Sequence, residues 1–467
     1  MLKNSDVLDL IKSELFPGWE KERDRLDRID RWYRIEQDPI KLPRTATAEL
    51  KQLAELSKVP WLGLVVTTVA QCLYVNGYRT ETDQGGGDLP TGEVTAPPGP
   101  WRTWQANRFD HRQIAVHRAA LAYGYSFVRV LPGLNDAKVP TSVMRGVSPR
   151  KAWAVYADPA EDDWPMYVLE VDCQPNKSYM LKLYDEETVY TVGMESLGAV
   201  PEMIEVGPHG SPECPFVRYS NQLDLEGRTD GEVDPFIPMA ARINKTSYDR
   251  LLTQHFSSWK VRTVAGMAEP DDEEDSRRRK LRIRQDDILV AEDADTKFGT
   301  LDETPLGGFI DAHKADVEVL AAVTQTPTFA LTGDLINLSA DALAAARAQL
   351  TQKAAERQMS FGESHGQTLR LAAAQEGNAV DAQDIMARPT WADMEIRSMS
   401  QAVDALGKAA TMLQVPYEAL WARIPGVNRT DVREWRELAL SNDPMVALQR
   451  ELARQTQRSA EQEAADG

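Results

Sequence analysis

The stretch TQTPTFALTGDLINLSADALAAARAQLTQKAAERQMSFGESHGQTLRLAAAQ, residues 324–375, holds a helix stop, a loop and a helix start, and it sets the frame for the whole chain. Pro327 has no N–H, and its ring clashes with the carbonyl four residues back, so the preceding helix has to end ahead of it. Ser339 offers the hydroxyl of an N-cap, and Asp341 suits the positive end of a helix dipole. Gly377 can take the left-handed conformation that ends a helix. Between these signals Leu343, Ala346, Leu350, Ala354, Phe361 and Leu369 recur at helical spacing. At 1.5 Å per residue, about 36 residues span roughly 55 Å. So long, narrow-faced and Ala-rich a helix is expected to pack against neighbours along its length. The loop before it carries Phe329, Leu331, Leu335 and Ile336, too apolar a set to float in solvent. Gly333 permits a tight reversal there, and Asp334 and Asn337 tolerate unusual backbone angles.

Upstream, two helical patterns bracket a charged insert. The first, 236–260, has Pro235 and Pro238 where a first turn tolerates proline, and a stripe of Ile243, Leu251, Leu252, Phe256 and Trp259. The second, 307–325, carries Ile310, Val317, Leu320 and Val323 on one stripe. Both have charged flanks, such as Arg242 and Asp249 or Lys314 and Glu318, which suits packing beside copies of themselves with one face wet. A helical hairpin in a monomer fits the pattern equally well. The insert joins the acidic run 271–275 to Arg277, Arg278, Arg279 and Lys280 and a strand-like 281–291.

Further out, residues 124–220 read as an antiparallel sheet module, with strands near 125–131, 152–156, 166–171, 179–184 and 189–192. Helices precede it: one through Val7, Ile11 and Leu15, then, past Pro17-Gly18, a charged one over 19–36, and a short one through Leu50, Leu53 and Leu56. The apolar stretch 61–75 is interrupted by Thr67, Thr68 and Gln71, short of the roughly 20 residues a membrane span needs, so a core helix is expected. Residues 82–100 are Gly- and Pro-rich surface loop, and Gly85 to Gly87, with no Lys-Ser/Thr behind them, make no phosphate cradle. A strand near Trp391, short helices near 398–414, 416–423 and 430–440, and a disordered tail after Ser459 close the chain. The fold class is α+β.

Chemistry is harder to find. The chain has 53 Lys plus Arg against 72 Asp plus Glu, a formal charge of −19, which argues against wrapping nucleic acid by neutralising phosphates. Cys72, Cys173 and Cys214 form no CxxC pair, so neither a zinc ribbon nor a disulfide framework is expected, and a reducing cytosol is. His111, His117, His209, His255, His313 and His365 include no HExxH and no ligand-spaced carboxylate, and read as structural or surface groups. Asp271 to Asp275 could collect a divalent cation for a nuclease, but four bases follow at once, and a self-neutralising solvated loop fits better. No GxSxG elbow and no Cys–base pair occurs. No enzyme, metal or cofactor is expected.

The succession of motifs resembles the portal proteins of tailed bacteriophages that infect actinobacteria and other Gram-positive hosts. The residues that carry the resemblance are Thr324–Pro327, Leu331–Gly333, Asn337–Leu343 and 353–362, with weaker matches at 75–78, 123–128, Ser148-Pro149, 214–217, Asn221, 243–246, Trp391–Asp393 and Arg397-Ser398. They are colinear over about 5–440. The resemblance implies a ring, usually of twelve subunits, at one capsid vertex, through which double-stranded DNA passes without sequence specificity during packaging and ejection. It implies a wing (1–235 and 341–397), a stem (236–260 and 305–325), a clip (261–304), a tunnel loop (326–340) and a crown with a tail (398–467). Thr326, Pro327, Phe329, Leu331, Thr332, Gly333, Asp334, Leu335 and Asn337 would form the tunnel loop. The apolar ones would pack on the next subunit's loop while Thr332, Gly333, Asp334 and Asn337 face the channel. Arg277, Arg278, Arg279 and Lys280 would offer a docking surface on the clip, a more charged one than the family leads one to expect. Implied partners are the terminase large subunit, a head-completion or adaptor protein, and the major capsid and scaffold proteins, with no membrane. The implied location is the virion, and the host cytoplasm during assembly. A scaffold or minor capsid component is the alternative structural reading.

Overall fold

The computed structural model describes residues 3–80, 99–134, 138, 140–257, 262–265, 297–300, 305–333, 340–392 and 399–421, with isolated positions as far as 439. Two compact units divide the chain, Met1–Ala392 and Asp393–Gly467.

The first unit opens with α1 (Asn4–Leu10), a π turn (Ile11–Leu15) and α2 (Phe16–Tyr33), one continuous helix. Pro17 does not punctuate it as expected: the ladder widens just ahead of the proline, with Phe16 N–H donating to Ile11 O. Next come α3 (Ala48–Leu56), capped by the Thr47 hydroxyl, and α4 (Trp61–Ala70). Residues Ala48–Ala70 are on average apolar enough to cross a membrane. The break at 57–60 divides them, however, and Leu62, Val65, Val66 and Val69 are fully buried in the core. Then follow β1 (Val75–Arg79), α5 (Pro100–Ala106) and α6 (Phe109–Tyr123).

Eight strands come next: β2 (Tyr125–Leu134), β3 (Pro140–Val147), β4 (Ala152–Val155), β5 (Tyr167–Cys173), β6 (Tyr179–Tyr184), β7 (Thr188–Met194), β8 (Glu202–Pro208) and β9 (Phe216–Ser220). They form two antiparallel sheets, not one: a three-stranded β3-β2-β9 and a five-stranded meander β4-β5-β6-β7-β8. In β7 buried and partly exposed residues alternate strictly, as a sheet with one covered face requires. The covered face of the meander packs on α1 and the start of α2 through Val7, Ile11, Leu15 and Trp19. The small sheet is buried on both faces. Phe127, Val147 and Phe216 meet the meander, while Val128, Val130, Met144 and Tyr219 join the main core.

Beyond the sheets run α7 (Ile237–Ser257), the two-stranded ladder β10 (Arg262–Ala265) with β11 (Lys297–Thr300), α8 (Gly307–Val323), α9 (Thr328–Thr332), α10 (Ala340–Gln375), α11 (Ala379–Gln383) and β12 (Arg388–Trp391). The strand-like 281–291 lies outside the described residues, as do 81–98, where the surface loop was expected. β12 pairs antiparallel with β1, more than three hundred residues earlier, from Val75↔Trp391 to Arg79↔Arg388. Helix α10 ends as expected at Gly377, where Gly377 N–H reaches Ala374 O and Asn378 N–H reaches Ala373 O.

α7 and α8 pack on each other, joined by Arg242–Asp316 at 3.0 Å and Thr246 Oγ1–Asp316 Oδ2 at 3.2 Å. Their burial is one-ended. In α7 the buried positions run from Ile237 to Tyr248, and in α8 they begin only at Val317. The ends next to the β10–β11 ladder expose Phe256 and Ile310. In the second unit α12 (Met399–Leu413) and α13 (Tyr417–Leu420) are helical as expected. The tail after Ser459 lies outside the described residues.

Candidate functional site at the turn before the long helix

α8 stops before Pro327 acts. Thr326 N–H reaches back to Ala321 O (2.9 Å) and Gln325 N–H to Ala322 O (3.2 Å), which turns the chain at Gln325 with φ +53°. A residue with a Cβ in the left-handed region carries strain, which glycine would avoid. Pro327 then starts the single helical turn α9, and Gly333 closes it with φ +74°. The expectation of a loop all the way from Pro327 to Ser339 is therefore corrected at Thr328–Thr332.

The placement of the expected loop residues divides in two. Thr324, Thr326, Pro327 and Leu331 are buried, Leu331 in the main core of its own subunit, where it cannot also pack on a neighbour's loop. Phe329 and Thr332 are half-buried and Gly333 is exposed. Asp334, Leu335 and Asn337 lie outside the described residues, as do Arg277, Arg278, Arg279 and Lys280.

What fixes the root of this loop is an ionic cluster that the sequence reading passed over. Lys353 Nζ, on α10, donates to Glu232 Oε2 (2.5 Å) and to the Thr324 carbonyl (2.9 Å). Arg357, one turn on, faces Glu232 Oε1 at 3.5 Å and reaches Glu356 at 3.1 Å. The Glu232, Lys353 and Arg357 side chains are at most 5% exposed. Burial draws the Lys353 ammonium below its ordinary range, Glu232 opposes that shift, and the Arg357 charge adds to it. The signal for the cluster was present: Lys353 and Arg357 fall on the same stripe as Leu350, Ala354 and Phe361, where a charge needs a buried partner.

Backbone geometry places Glu232. α6 ends at Gly124, φ +99°, where an added Cβ would stand 2.2 Å from Thr229 O. Only glycine lets the returning chain press so close, and Glu232 N–H then reaches Leu121 O at 2.7 Å. Glu232 precedes α7, and Thr324 follows α8. Lys353 thus holds the root of both helices to the long helix.

A second buried link stands three turns along α10. His365 Nε2 lies 2.8 Å from His117 Nε2, His117 Nδ1 lies 3.0 Å from Leu73 O, and Tyr219 Oη lies 2.9 Å from His365 Nδ1. The carbonyl can only accept, so His117 carries its proton on Nδ1, His365 on Nε2, and Tyr219 donates. Burial lowers the His117 pKa to about 4, and burial together with His117 holds His365 well below the ordinary histidine value. Both rings are neutral at pH 7. They are structural, as the spacing argument had it, though the pairing across 248 residues was invisible to it.

Among the described residues no group of three His, Cys, Asp or Glu side chains could hold a metal. Asp271 to Asp275, the sequence's candidate cation run, lie outside them. This geometry secures helices and the root of a loop.

The family described as phage portal protein, SPP1 Gp6-like, matches residues 12–444. The portal protein of Mycobacterium phage L5 is 25% identical over 430 residues, 85% of this chain and 81% of that protein. The portal protein of Mycobacterium phage D29 is 23% identical over 420 residues with the same coverage. The family is of a structural kind, and its members are virion components at the capsid. With a match across nearly the whole sequence, this chain belongs to the SPP1-type phage portal protein family.

Proposed function

We propose that this portal protein forms a closed ring, of about twelve copies, at one capsid vertex and serves as the channel for double-stranded DNA during packaging and ejection. The observation that carries this reading is the one-ended burial of α7 and α8. The pair is anchored at its root, and Ile310, Val319 and Val323 on α8 remain 52%, 44% and 47% exposed. Neighbouring copies would cover those side chains.

In this reading 1–235 and 341–397 make the wing, 236–260 and 305–325 the stem, 261–304 the clip, 326–340 the tunnel loop and 398–467 the crown. The clip, with Arg277, Arg278, Arg279 and Lys280, docks the terminase large subunit and later a head-completion or adaptor protein. Major capsid and scaffold proteins meet the outer ring, and assembly takes place in the host cytoplasm. The net charge of −19 supports the channel role, since an acidic conduit repels phosphate and lets DNA slide.

Negative-stain imaging and mass measurement of the purified protein test the reading. Closed rings with a central hole are expected. A 52.1 kDa monomer both in solution and in virions would defeat it. Hundreds of copies per virion, against one ring, would return the scaffold or minor capsid reading.

A further inference from the structure

On the face of α6 turned away from the main core lies a groove of about 880 Å³, walled by α6 and by the end of β3. Its floor is apolar, with Ala115, Ala119 and Val147 among the lining residues, and Arg112, Arg118 and Arg145 stand around it. Among the described residues none of these arginines has a carboxylate partner, and the Arg118 Nε is buried without a hydrogen bond. Elsewhere many described arginines are paired with carboxylates, as Arg25, Arg150, Arg242 and Arg357 are.

β3 is an edge of its sheet, and its outward backbone groups are dealt with one by one. Asn107 accepts from Met144 N–H and donates to Ser142 O, and Glu376 accepts from Ser142 N–H. The next outward residue by strand alternation is Gly146, which lines the groove, is exposed, and has no such cap among the described residues. Three unpaired cations, an apolar floor and an open edge position thus coincide.

We propose that this groove receives an acidic, extended segment of the neighbouring copy in the ring. Charge complementarity selects the occupant: a second copy of a chain at −19 carries 72 acidic against 53 basic side chains, and three guanidiniums without a carboxylate among the described residues are matched to that excess. The apolar floor takes alternate side chains, and Gly146 offers a backbone donor and acceptor to the extended segment. This inference rests on the ring reading but is separable from it.

The test uses the full chain. Arg112→Glu/Arg145→Glu changes two exposed positions, and Ala115→Trp fills the groove. Native mass spectrometry across protein concentration should show ring formation needing at least tenfold more protein for each variant. The deficit of the charge variant should shrink at high salt. Independently of any folding defect, a photo-cross-linking residue at position 115 should join adjacent subunits of assembled rings. Rings that form at wild-type concentration, or rings that give no cross-link between subunits, overturn the groove assignment and leave the ring intact. Normal rings that lose capsid-protein binding would assign the groove to that partner and overturn it equally. Wild-type protein that never forms rings removes both readings.

Discussion

Lys353 is the residue on which the loop root depends. Removing one member of a buried ionic cluster leaves its partner uncompensated, so Lys353→Met should destabilise the subunit by about 3 kcal/mol. Glu232→Gln/Lys353→Met should recover part of that loss, because the Glu232 charge is no longer left without Lys353 and Arg357 keeps Glu356 at 3.1 Å. Urea unfolding of both variants measures it, and equal midpoints for the single and double variants would show that the cluster is not coupled. The histidine link makes a separate prediction. Both rings are held neutral in the folded state, with His117 at about 4 against the ordinary 6.5. The unfolded chain therefore binds more protons between those values. The contribution of this link is complete above about pH 6.5 and is lost as pH falls towards 4, by about 1.4 kcal/mol per pH unit for each proton. His117→Gln/His365→Gln should flatten that part of the profile; a wild-type midpoint unchanged from pH 7 to pH 5 would refute the account.

At the scale of elements, Gln325 marks where α8 yields to the loop. Its φ of +53° costs what glycine would not, so Gln325→Gly should stabilise the subunit by roughly 0.5–1 kcal/mol, net of the extra chain entropy. Loss of stability in thermal or urea unfolding would mean that the Gln325 side chain contributes more than its backbone strain takes away. The elements most legible in the sequence are those with long single stripes: α2, α7, α8 and α10 lie within a few residues of their expected bounds. β3, β8 and β9 were not foreseen. Pro140 and Pro208 sit at strand ends and read as breaks, and β9 is only five residues long. The pairing of β1 with β12 could not be read at all, since nothing local in Val75–Arg79 points to Arg388–Trp391. For the site, the turn at Thr324–Gly333 was visible through Pro327 and Gly333. Its anchor was not, because Glu232 lies far away in sequence and reaches Lys353 only through the corner at Gly124.

For the whole molecule, the proposed channel role turns on the loop. Thr326 and Leu331 belong to the subunit core, so on the proposed reading the channel role falls to residues beyond them. Excising 332–337 should leave ring assembly near normal while genome packaging or retention falls; a variant that packages and keeps a full-length genome would reduce the loop to a connector. The β1–β12 pairing has a consequence in time. Trp391 flanks both His117 and His365, with ring centroids 5.9 and 6.0 Å away, so the last strand of the first unit also completes the surroundings of the histidine link. A ribosome adding about 5–20 residues per second needs roughly 20–80 s to reach that strand. Until then β1 has no strand partner, and the first unit of a nascent chain is unfinished. On the ring reading, copies made on one message would be kept from joining each other before synthesis is nearly over, and a place in the ring would fall to finished chains alone.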